Sequence, residues 1–267
     1  MFNNECSCSN SCEKTLELLL ADDKSITFEM MNLSFELPLG VSKISDDVRI
    51  EYQKIREFTF SILNNRNLSL QERLISVGKL LRFINNEKNN KHPLDFNQLS
   101  PVDFIKENID FEKSPIYAYD IQRRLVSFYK DKSASIQNYA SEAISYYQKG
   151  DNPRQYQQAL MHIYKLFPNI EIMWEKIFIN HLFFDQFPFS NTCETFWEEF
   201  ESIIGVYLFT TYITLGYMAT KATKEDFIDV VAAIFRLIAH TNFNRNIDIL
   251  LHNEGITTLE QLASIII

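Results

Sequence analysis

Apolar residues along this chain recur every three to four positions. Val48, Tyr52, Ile55, Phe58 and Ile62 step in this way and predict a helix from Asp46 to Asn64, opened by Ser45. The polar linker NNRN leads to Ser69, which makes a capping-box pattern with Glu72. That pattern opens a second helix through about Asn86, so the two form a helical hairpin. The polar run NNEKNNKHPLD then reads as a loop or a weak boundary near 86–99. Further 3.6-period segments predict helices over 101–109, 115–131, 133–149, 153–166, 169–185, 192–220, 223–241 and 257–267. Three of their starts carry a polar cap followed by proline: Ser100-Pro101, Ser114-Pro115 and Asn152-Pro153. Residues 12–21 predict a short amphipathic helix. Strand-like alternation is confined to Ser25–Pro38, which reads as an extended arm. The expectation is an all-α fold: an irregular bundle of about nine to ten helices over 44–267, with a short extended N-terminal arm within 1–43.

Composition narrows the function classes. Of 267 residues, 46% are hydrophobic, ample for a packed core. The net charge is −9 with both signs interspersed and no basic stripe, which argues against nucleic acid as a partner. The most apolar run, Ile203–Ala219, is short for a membrane span and holds threonines and glycines, so it reads as a buried core helix and no membrane partner is expected. Four cysteines do not make a disulfide scaffold, and MFNNECSCSN shows no basic region followed by an apolar run. A reducing, cytoplasmic setting is expected. No G-x-G-x-x-G, P-loop, H-E-x-x-H or G-x-S-x-G occurs, which disfavours a dinucleotide fold, the usual ATPases, zincins and α/β-hydrolases.

Chemistry concentrates in a few places. Cys6, Cys8 and Cys12 stand as C-x-C-x3-C, three soft ligands where zinc or an iron–sulfur cluster usually takes four. Cys193 completes the set only if the fold carries it across the chain; incidental terminal cysteines are the other reading. The C-x3-C-x2-C signature of radical enzymes is broken, because Thr15 stands at its third position. Arg236 and His240, four apart on an apolar helix, could bind an anion such as a carboxylate, or could cap and bridge neighbouring helices. Asn180-His181 is a polar pair inside IFINHLFF and must find partners in a helix–helix network or a pocket. Cys193 is placed in the first turn of a helix opened by SNTCE. Trp174 with Phe178, and Phe196 with Phe200, read as core.

Four stretches, in order, resemble the flagellin lysine-N-methylase family: CSCSNSCEKTLELLL (6–20), IREFTFSILNNRNLSLQERLISVGKLL (55–81), FINHLFFDQFPF (178–189) and IFRLIAHTNFNRNIDILLHNEGITTLEQLASIII (234–267). Glu13 stands where that family commonly has proline. The resemblance implies methyl transfer from S-adenosylmethionine to flagellin lysine ε-amines. Such an amine must be neutral to act as a nucleophile, which calls for a base or a dry pocket. The family also carries a cysteine-rich N-terminal module thought to hold an iron–sulfur cluster, and Cys12 matches the last of its cysteines. Residues 1–43 are therefore expected to hold a remnant of that module, with Cys12, Cys8 and Cys6 an incomplete metal site. A chain with that incomplete site is expected to bind no cluster and to be inactive alone, or to act as the binding part for flagellin or for a separate cysteine-rich subunit. The resemblance carries over Arg56, Arg73, Asn180, Arg236 and His240 as substrate- or cofactor-binding candidates. Arg56 and Arg73 are alternatively ion-pair partners within the hairpin, with Glu57 and Glu72 nearby in sequence. The competing class is a non-catalytic helical protein-interaction domain.

Overall fold

The computed structural model describes residues 8–27, 46–89, 94–96, 98–106, 109, 112, 114–190 and 193–266. Cys6 and most of the predicted arm lie outside these; its first residues, 25–27, carry no regular structure. Twelve helices and no strand occur among the described residues: α1 Glu13–Leu19, α2 Asp46–Leu63, α3 Leu70–Asn89, α4 Pro101–Lys106, α5 Pro115–Tyr129, α6 Ala134–Tyr147, α7 Asn152–Leu166, α8 Ile170–Phe184, α9 Phe196–Met218, α10 Lys224–His240, α11 Phe243–Asn253 and α12 Leu259–Ile265. The fold is all-α, as expected, with slightly more helices than the periodicity suggests. The addition is α11. Its asparagines, Asn242, Asn244, Asn246 and Asn253, look like a loop, yet Phe243, Ile247 and Leu251 recur every fourth position and are buried.

Polar caps set the helix starts. Ser69 and Glu72 make the predicted box: Ser69 N–H donates to Glu72 Oε2 at 2.8 Å and Glu72 N–H to Ser69 Oγ at 3.3 Å. Thr195, Thr223 and Thr258 accept from the backbone N–H three residues on. Thr195 moves the start of α9 to Phe196, so Cys193 precedes the cap and is not in the first turn. Likewise Asp151, not Asn152, is the N-cap of α7.

α9 is the axis of the core, packed by α3, α5, α6, α7, α10 and α11. From Glu199 to Met218 it is buried on every side, which accounts for the long apolar run. No helix among the described residues is long and apolar enough to cross a membrane. Close approach needs a missing side chain: a Cβ on Gly216 would stand 2.6 Å from the Tyr147 ring and 2.9 Å from the Ala143 Cα, so α6 lies directly against α9. Trp174, Phe178 and Phe200 are core residues, as their spacing suggests.

One acid is caught in this core. Glu201 on α9 is 0% exposed and its oxygens lack well-formed hydrogen bonds. Burial pushes its carboxyl from 4.5 up to about 8, drawn back only in part by the Trp197 N–H. His252 Nε2 stands 3.3 Å from Oε1. The folded state thus holds a proton that the unfolded chain releases near the ordinary value. This contribution is complete below pH 4.5 and is lost as pH rises through about 8. Glu201→Gln should match the native chain near pH 5 and exceed its stability by about 2–4 kcal/mol near pH 9. Urea melts at the two pH values read this difference.

Candidate functional site

Seven-residue α1 is too short to persist by itself and is held from outside. Leu16 and Leu20 bury its apolar side. Asn180 Nδ2 on α8 donates to Cys8 O at 2.9 Å and to Asn10 Oδ1 at 2.7 Å. Asn10 returns a bond to Ile177 O at 2.8 Å. From α10, Arg236 Nη1 donates to Ser11 O at 3.2 Å and to Glu13 Oε1 at 2.6 Å. At the other end Lys176 Nζ donates to Leu19 O at 2.8 Å and Asp22 O at 2.7 Å, and Lys224 Nζ donates to Leu20 O at 2.6 Å. These cations lie on the orphan carbonyls of the α1 C-terminus, where the helix dipole favours them. The cysteine-bearing turn is therefore built onto α8 and α10.

The Cys8 and Cys12 thiols face solvent. Cys12 is the N-cap of α1, and hydrogen bonds from the Thr15 N–H and hydroxyl and the Lys14 N–H lower its pKa below the ordinary thiol value. Among the described residues no group of three His, Cys, Asp or Glu could hold a metal ion. Two exposed thiols do not fit the ligand set of a cluster, so no chemistry is assigned to one here.

Beside the turn, reached by Ser9, opens a cleft of about 450 Å³ between α8 and the α10–α11 corner. Phe184, Phe235, Ile238 and Ala239 form its apolar walls; His181, Asp185, Ser190, Asn244 and Arg245 bring polar groups. His181 is 6% exposed, its Nδ1 lies 3.5 Å from Asp185 Oδ2, and its ring meets Phe235 edge-on at 4.9 Å. Burial pushes the imidazole below its ordinary value, against the pull of the Asp185 charge. A smaller adjoining space shares His181, Asp185, Ser190 and Asn244 and reaches Glu199. Ser190 Oγ donates to that carboxyl, which burial nevertheless holds above the usual carboxylate range.

The candidate residues separate on this map. Asn180 and Arg236 converge on the cysteine turn. His240 lies exposed at the end of α10, and Arg236 is engaged with Glu13. Arg56 Nη1 donates to Phe187 O at 2.7 Å, and its guanidinium lies over the Phe60 and Phe183 rings, tying α2 to the Phe-Pro-Phe turn. Arg73 is buried, and its carboxylate partner is Glu175 on α8, at 2.9 Å, rather than Glu72. Arg66 grips the same carboxylate from the hairpin linker at 2.7–3.1 Å. Sequence reading finds His181 only as the neighbour of Asn180 and passes over Asp185. The signal is the H-x3-D spacing, which sets both on one helix face.

A family model described as FliB lysine N-methylase C-terminal domain matches residues 56–265. No curated protein and no solved structure matches the chain.

Proposed function

Because the chain belongs to the FliB lysine N-methylase C-terminal domain family, we propose that it is the helical part of an enzyme that methylates lysine ε-amines of flagellin. The methyl donor in this reading is S-adenosylmethionine, a second substrate. Carbon–sulfur cleavage in the donor accompanies carbon–nitrogen bond formation at the amine. The family match carries the reading.

The geometry gives it a physical setting. The cysteine turn lies outside the matched residues, yet Asn180 and Arg236, both within the match, hold it in place. A cysteine-rich module, in the same chain or on a separate subunit, would meet the domain at this turn, at the mouth of the cleft reached by Ser9. The domain then supplies shape and polar groups beside that module.

Tandem mass spectrometry of flagellin from strains with and without the gene tests the reading. Methyl increments on lysines are expected to vanish on deletion. Marks that persist unchanged refute it.

A further inference from the structure

The cleft beside the cysteine turn holds one buried acceptor without a partner and a loosely paired histidine and aspartate. His181 is 6% exposed, and its Nδ1 lies 3.5 Å from Asp185 Oδ2. The side-chain oxygen of Asn244, which lines the same cleft, is buried with no hydrogen-bond partner. The Asp185 side chain is 27% exposed, so its carboxylate is open to a group that enters the cleft. A buried acceptor such as the Asn244 oxygen normally finds a partner, because an unmade bond costs about 1–3 kcal/mol. An ammonium has three donors and no acceptor, so it complements a neutral imidazole, an amide oxygen and a carboxylate. The apolar walls of Phe184, Phe235 and Ile238 suit the methylene stem that carries such a group.

We propose that this cleft binds an aliphatic primary amine, the side chain of the substrate lysine, with Asp185 pairing with the ammonium and His181 accepting its proton. The assignment rests on the methylase reading above. In the step, one N–H bond of the ammonium breaks, its proton passes to a ring nitrogen of His181, and the amine keeps the lone pair. The imidazolium so formed stays beside Asp185, which offsets its charge. Glu199 from α9 and Arg245 from α11 also face this space, one able to add negative charge and one carrying positive charge. Burial disfavours the charged amine, which loosens its proton. It also disfavours the imidazolium, so the Asp185 charge beside the ring is what favours His181 as the acceptor.

The test is a titration of the full chain with Nα-acetyl-lysine methylamide and, separately, with Nα-acetyl-norleucine methylamide, which lacks the amine. The His181 ring is followed by carbon–proton NMR and identified by its absence in His181→Gln. The lysine compound should move the His181 signal to saturation and the norleucine compound should leave it in place. Asp185→Asn should weaken lysine binding about tenfold. If that variant does not fold, as judged by circular dichroism, Asn244→Leu is read in its place with the same expectation. Equal responses to the two compounds, or an unmoved His181 signal with lysine, overturn the proposal. The flagellin experiment separates the two levels. Marks lost on deletion without lysine binding in the cleft sink the site alone. Lysine binding with marks indifferent to deletion leaves the site standing and sinks the enzymatic reading.

Discussion

Glu175→Ala is expected to lower the unfolding free energy by about 3–5 kcal/mol, a large part of the stability of an ordinary domain. Glu175 has a side-chain exposure of 3% and accepts from Arg66 and Arg73 together. Arg73 is nearly as buried, at 4%, and also donates to Leu63 O at 2.7 Å. One carboxylate thereby joins α8 to α3 and the hairpin linker, while Arg73 also satisfies the C-terminal end of α2. Removing it strands a guanidinium in the interior, and that desolvation cost, more than the lost attraction, makes the effect large. Two comparisons separate the causes. Arg124→Ala removes a solvent-exposed pair with Glu254, at 2.7 Å, and should cost far less than Glu175→Ala. Replacing both Arg73 and Glu175 by apolar residues should cost less than the sum of the single changes, because neither partner is then left charged and buried. Urea melts read all of these.

The second large effect is local. Asn180→Ala combined with Arg236→Ala is expected to release the cysteine turn and leave the bundle folded. The pair removes the side-chain bonds to Cys8 O, Asn10 Oδ1, Ser11 O and Glu13 Oε1. It leaves Asn10 without the donor that meets its buried oxygen. At about 1 kcal/mol net for each neutral bond and more for the charged one, the turn loses most of its fixed geometry. Amide hydrogen exchange over residues 12–20 should quicken by about 10–100-fold, while amides of the α9 core keep their protection. Exchange that quickens equally across the chain would mean that the turn is part of the global folding unit and not a docked segment.

These residues also show what a sequence can carry. The α2–α3 hairpin is legible because local rules fix it: apolar steps of three and four, and a capping box whose partners are three residues apart. α9 is legible as a core helix from its apolar run. Asn180 stands out because a polar residue in an apolar helix must have a partner, but that partner, Asn10, is 170 residues away and no local rule names it. Arg73 draws attention, yet its carboxylate is 102 residues distant, while the nearby Glu72 is occupied by the Ser69 cap. The Arg236–His240 spacing is sound as helix geometry, but it ignores that His240 falls on the last, solvent-facing turn. α11 is hidden by asparagines that mimic a loop. The cleft is hidden for a different reason: His181 and Asp185 share a helix face, but Asn244 reaches them only when the α10–α11 corner closes.

The central claim is that this helical domain serves flagellin lysine methylation through a docked cysteine turn. It is tested most directly by complementing a deletion strain and counting methylated lysines on purified flagellin by tandem mass spectrometry. The native chain should restore the marks, and the Asn180→Ala, Arg236→Ala chain, expressed at the same level and folded, should not. Restoration to the same extent by both would contradict the role given to the turn, and failure of the native chain to restore any mark would contradict the function itself.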